Sequence, residues 1–115
     1  KEDNTGSKTS GKGDTTKSTS ARGGQEINVG VESGELKFDS DTLEATAGKV
    51  TFAFTNPDAI AHDFQIERDG KNLGGTKLIS NGESDSFAVT LKPGTYTYYC
   101  TPHRSAGMTG TLTVP

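Results

Sequence analysis

Cys100-Thr101-Pro102-His103-Arg104-Ser105-Ala106-Gly107-Met108 places a thiol, an imidazole and a thioether within nine residues, and a second imidazole, His62, lies far upstream. The chain has one Cys, one Met and two His, so these four residues are its whole stock of sulfur and imidazole donors. Two imidazoles and a thiolate roughly in a plane, with a weak axial thioether, form the donor set of a mononuclear copper electron-transfer site. Soft sulfur suits Cu(I), while imidazole tolerates both oxidation states. With Cys100 ending one strand and Met108 preceding the next, Pro102 and Gly107 bend the intervening segment so that its three donors converge.

Other chemistries need groups this chain lacks. A Cys-His hydrolase requires an exposed thiol activated by an imidazole that a third group orients, and Cys100 sits between a tyrosine-rich strand and a proline loop. Structural zinc takes four strong Cys or His ligands, and thioether is a poor one. A dinuclear copper centre would need a second cysteine, and multicopper oxidases many more histidines. Taken singly, each residue has a plainer role: a buried small apolar group for Cys100, a core histidine in step with Phe64 and Ile66 for His62, and a core filler for Met108. The conjunction of all four outweighs these.

The elements that must position the donors are strands. Apolar residues make up about a third of residues 25–115 and alternate rather than recurring at helical spacing. Ile27, Val29 and Val31 form one period-2 stripe; Leu36 with Phe38, then Leu43, Ala45 and Ala47, form the next. Val50, Phe52 and Phe54 alternate up to the Asn56-Pro57 turn, and His62, Phe64 and Ile66 continue to Asp69-Gly70. Gly70 to Gly75 reads as a loop and Asn81-Gly82 as a turn. Phe87, Val89 and Leu91 form a strand closed by Pro93-Gly94, followed by Tyr96, Tyr98 and Cys100, and finally Leu112 and Val114. Seven or eight strands in about 90 residues predict an all-β sandwich.

The first 24 residues differ in kind. Gly, Ser and Thr fill 14 of these positions, and Ala21 is the one apolar residue, too little to bury and order a segment. This stretch carries a net charge of +2 and residues 25–115 a net −5, against −3 for the whole chain. As a flexible coil, 24 residues span roughly 25 to 30 Å, the reach of a tether between a membrane anchor and a mobile domain. We therefore divide the chain into a tail, 1–24, and a domain, 25–115. No apolar run approaches the roughly 20 residues that cross a bilayer, and the acidic balance disfavours nucleic acid. A single cysteine excludes an intrachain disulfide.

Tyr99-Cys100-Thr101-Pro102-His103 with Ala106-Gly107-Met108, preceded by a histidine on an earlier strand, resembles the plastocyanin group of cupredoxins. Ala47-Gly48-Lys49-Val50, Asn56-Pro57 through His62, Gly82-Glu83, Pro93-Gly94-Thr95-Tyr96 and Gly110 to Val114 fall in the order that family shows. The resemblance spans about Gln25 to Pro115. It implies an eight-stranded Greek-key β-sandwich, the cupredoxin fold, holding one type 1 copper ion that cycles between Cu(I) and Cu(II). His62, Cys100 and His103 would be its strong ligands and Met108 the axial one. His103 would be the electron port, ringed by Ala61, Pro102, Ala106 and Gly107, with Arg104 favouring an acidic rim on the partner. The family also suggests a second electron route through outward-facing Tyr99.

Two departures stand out. The family has Pro before and Asn after its first histidine ligand, where this chain has Ala61 and Asp63; an acceptor at Asp63 for the amide or hydroxyl of Thr101 would tie the two ligand loops together. The stretch matching the acidic docking runs of plant members, Glu67-Arg68-Asp69-Gly70-Lys71, is mixed in sign, so photosynthetic partners do not follow. The resulting expectation is a monomeric one-electron carrier, not an enzyme. It would dock weakly with a cytochrome or an oxidase or reductase, outside the cytoplasm, in periplasm, lumen or on a membrane's outer face. A copper-delivery protein and a metal-free immunoglobulin-like module are the alternatives.

Overall fold

The period-2 stripes become strands because each buries one face. In the computed structural model, which describes residues 25–115, eight strands run in chain order: β1 (Gln25–Val29), β2 (Thr42–Glu44), β3 (Gly48–Asn56), β4 (Gln65–Arg68), β5 (Lys71–Gly75), β6 (Glu83–Leu91), β7 (Gly94–Tyr99) and β8 (Thr109–Val114). They form two sheets, ordered β1-β3-β6 and β2-β8-β7-β4-β5. The chain leaves the first sheet after β1, contributes edge strand β2 to the second, parallel to β8, and returns as β3, parallel to β1. The remaining pairings are antiparallel. This is the all-β sandwich expected, with the higher of the two strand counts.

Between the sheets Val50, Phe52 and Phe54 from β3 meet Phe64, Ile66, Tyr98 and Leu112, all fully buried. Phe64 is the hub. Its ring centroid lies 5.3 to 6.0 Å from those of Phe38, Phe52, Phe54, Phe87 and Tyr98, edge-on to Phe38, stacked on Phe54 and tilted against the other three. Tyr98 is pinned at its other end, where its hydroxyl donates to Ser40 O at 2.7 Å. Phe64 is two residues from His62 and Tyr98 two from Cys100, so the aromatic core fixes the backbone beside both donors.

Four local expectations are corrected. The Gly70 to Gly75 stretch is not a loop but mostly strand β5: Asp69 and Gly70, at φ of 53° and 79°, make the tight turn of a β4–β5 hairpin. Its Lys-Asn-Leu-Gly-Gly sequence pairs through the backbone at a sheet edge, which needs no apolar stripe, and the absent side chain of Gly75 leaves room for Gln65. Leu36 is exposed in a turn, whereas Phe38 is buried and bridges Val31 beyond the end of β1. His62 stands outside β4, in an isolated antiparallel bridge to Ile79. Cys100 lies one residue beyond β7 and caps a 3₁₀ helix, Thr101–Ala106, which is the only helix among the described residues. The tail, 1–24, lies outside the described residues.

Candidate metal centre

Two segments from opposite halves of the domain build the site. The first, Asn56 to Phe64, is held by Asn56, a fully buried residue. Its Nδ2 donates to the carbonyls of Ile60 at 2.8 Å and Ile79 at 2.7 Å, and its Oδ1 accepts from the Asp58 amide at 2.9 Å. Ile79 in turn exchanges both backbone bonds with His62, each at 3.0 Å. One buried amide thereby sets the height of the first imidazole. Downstream, Phe64 N donates to Thr76 Oγ1 at 3.1 Å.

The second segment is Cys100 to Met108. Pro102 opens the 3₁₀ helix, where a missing amide costs nothing, and Gly107 closes it at φ 98°, left-handed backbone that a side chain rarely tolerates. The turn ties the donors together through the main chain. Cys100 N donates to Met108 O at 3.1 Å, Met108 N to His103 O at 3.2 Å, and His103 N to Cys100 O at 3.2 Å.

Three donors converge as a result. Cys100 Sγ lies 3.8 Å from His62 Nδ1 and 3.4 Å from His103 Nδ1, and the two Nδ1 atoms are 3.1 Å apart. All three fall within 4.8 Å of one another, and they are the one such group of His, Cys, Asp and Glu among the described residues. Cys100, His62 and Met108 are fully buried, while His103 is partly exposed. Burial, then the neighbouring His103, holds His62 below its usual 6.5 and so neutral at pH 7. Burial likewise pushes the Cys100 thiol up to about 11. A protonated, fully buried thiol facing two imidazoles is not set up as a nucleophile. The donor set suits a soft cation: Cys100 as thiolate and His62 and His103 through Nδ1 would hold it, each imidazole then carrying its proton on Nε2. His62 Nε2 is buried with no hydrogen-bond partner among the described residues.

Around the donors, Asp63 sits where the ligand loops meet. It is 5% exposed, and its Oδ1 accepts from Thr101 N at 2.6 Å while Oδ2 accepts from Gln65 Nε2 at 3.1 Å. Ala61, Pro102, Ala106 and Gly107 are exposed near partly exposed His103. Arg104 is not a free cation: it pairs with Glu67 and lies over the Tyr99 ring. Sequence reading missed Asn56 as more than a turn former, took Glu67 only as part of a mixed-sign surface stretch and not as the partner of Arg104, and missed Gln65, Thr76 and Ile79 altogether. A polar residue directly after the Phe52-Phe54 stripe was the available sign for Asn56; the others offered none.

Residues 25–115 match the family model described as copper binding proteins, plastocyanin/azurin family. The chain belongs to that family. A plastocyanin from Dryopteris crassirhizoma is 34% identical over 99 residues, which cover 76% of this chain and 97% of that one. A chloroplastic plastocyanin from Fritillaria agrestis is 35% identical over 98 residues, with 77% of this chain covering 58% of that protein. Among solved structures, auracyanin A, a "blue" copper protein from Chloroflexus aurantiacus, superposes with a TM-score of 0.71 at 25% identity, covering 81% of this chain and 100% of that one. As a cupredoxin the protein takes copper, and its class is an electron carrier that works with redox proteins, not an enzyme.

Proposed function

We propose that His62, Cys100, His103 and Met108 hold a single type 1 copper ion, the first three as strong ligands and Met108 as a weak axial one, and that the protein passes single electrons between redox partners. When bound, copper supplies the Cu(I)/Cu(II) couple; the chain supplies everything else. The observation that carries this reading is the convergence of Cys100 Sγ and both Nδ1 atoms. Buried His62, Cys100 and Met108 are held by main-chain bonds and by the aromatic core, so the donor cage changes little between oxidation states. Such preorganisation lowers the cost of each transfer.

His103 is the port, because it alone of the four donors reaches the surface. Its surround of Ala61, Pro102, Ala106 and Gly107 is small and uncharged, which allows close approach and suits a weak, short-lived contact with a cytochrome, oxidase or reductase. Asp63 braces the two ligand loops and keeps a negative charge beside the metal. We place the domain outside the cytoplasm, as a monomer, with residues 1–24 as its tether. Voltammetry tests the carrier function: a reversible one-electron wave with fast heterogeneous exchange supports it. Rapid surrender of copper to a mild chelator, with sluggish electron exchange, would instead support copper delivery.

A further inference from the structure

Tyr99 is joined to Cys100 by a peptide bond, so its ring stands at the end of a covalent path from the thiolate that is separate from the path through His103. That ring is covered. The Arg104 guanidinium lies 4.1 Å from the ring centroid, and it also donates Nη1 to Glu67 Oε1 at 3.0 Å and Nη2 to Glu67 Oε2. Asn72 Nδ2 donates to the Tyr99 hydroxyl at 3.1 Å and to Gln65 Oε1 at 3.0 Å. The five residues come from four elements, β7, the 3₁₀ helix, β4 and β5. A planar guanidinium can stack on a ring and meet a carboxylate edge-on at once, which an ammonium cannot. Glu67, with 16% of its side chain exposed against 44% for Arg104, is the fixed half of the pair.

Resting on the electron-carrier reading, we propose that the Arg104–Glu67 pair is a cover that closes the Tyr99 face to redox partners and confines exchange to the His103 face. A partner arriving over Tyr99 is stopped one side-chain layer from the ring. The same pairing withdraws the Arg104 charge from the His103 face, which leaves that contact to small uncharged residues. The specificity of this protein for one docking face thus follows from a salt bridge and not from the metal ligands.

Two measurements on the copper-loaded protein test this. In the first, tetranitromethane nitration is mapped by peptide mass spectrometry, with buried Tyr96 and Tyr98 as internal references. Arg104→Gln and Glu67→Gln should each speed Tyr99 nitration about threefold to tenfold, the size of effect a stacked, paired cation gives at a surface; unchanged rates overturn the cover. In the second, the reduced protein is oxidised by tris(phenanthroline)cobalt(III). One electron leaves the protein and reduces Co(III) to Co(II), with no bond made or broken. Tyr99→Leu should leave the rate unchanged in the wild-type background and lower it about threefold or more in the Arg104→Gln background. Equal slowing in both backgrounds, or none in either, overturns the proposal. Failure of every variant to reduce the cobalt complex would remove the carrier reading, while the nitration rates would still report the cover by themselves.

Discussion

Replacing Asp63 with Asn removes one charge from the seam between the two ligand loops and changes little else in size. Both contacts of the side chain come from N–H donors, the Thr101 amide at 2.6 Å and Gln65 Nε2 at 3.1 Å, so both oxygens act as acceptors and the group serves as a carboxylate. An asparagine can keep the Thr101 bond, but its amide nitrogen then faces Gln65 Nε2, donor against donor. Gln65 keeps its bond to Thr76 O at 2.8 Å, and one lost bond costs about 1 kcal/mol of stability. The larger effect is on potential. At an illustrative separation of about 6 Å and an effective dielectric of 20, two unit charges interact by about 2.8 kcal/mol, equivalent to about 120 mV for a one-electron couple, and partial solvation would halve that. Since the negative charge favours Cu(II), Asp63→Asn should raise the midpoint potential by about 60 to 120 mV. Voltammetry at pH 7 and fixed ionic strength measures the shift, with the visible spectrum checking that the ligand set is intact. A shift below about 20 mV, roughly a third of the smallest value and accompanied by an unchanged spectrum, would refute the reasoning.

Three further outcomes follow from the same contacts. Because burial pushes the Cys100 thiol up from 9.0 to about 11, copper uptake at pH 8 must expel that proton. Calorimetry in two buffers of different ionisation heat should show about one proton released per ion, and affinity should rise about tenfold per pH unit over that range. For the metal-free fold the sign is the reverse of the usual carboxylate case: a thiol pKa raised on folding stabilises below pH 9, and that contribution is lost as pH climbs toward 11. Phe64→Ala empties the centre of the aromatic cluster and should cost about 3 to 5 kcal/mol in denaturant unfolding; a loss under about 1 kcal/mol would show that this ring does not hold the core. Asn56→Ala strands the Ile60 carbonyl and should cost about 1 to 3 kcal/mol while weakening copper retention, since His62 hangs from the same bonds; retention equal to wild type would separate Asn56 from the site.

The sandwich was legible wherever an element faces the core on one side. Val50-Phe52-Phe54 and Tyr96-Tyr98 alternate because only one face of each strand is buried, and periodicity reports that directly. The donor set was legible because a chain with one Cys, one Met and two His leaves few assignments open. What escaped was whatever depends on partners distant in sequence. Strand β5 carries no stripe because its pairing is by backbone at an edge. The bridge that seats His62 depends on Ile79, and the anchor above it on Asn56, an ordinary turn residue by its neighbours. Arg104 read as a free charge because Glu67, its partner, arrives only when β4 packs beside β7.

The most direct test of the account is to add Cu(II) to the purified protein and record visible and electron paramagnetic resonance spectra, then to repeat both with Cys100→Ser. An intense blue thiolate-to-copper band with narrow hyperfine splitting, abolished in the variant, is the predicted result. A pale spectrum of ordinary Cu(II), the same with and without the thiol, would contradict it, because the converging sulfur and imidazoles would then not hold the metal together.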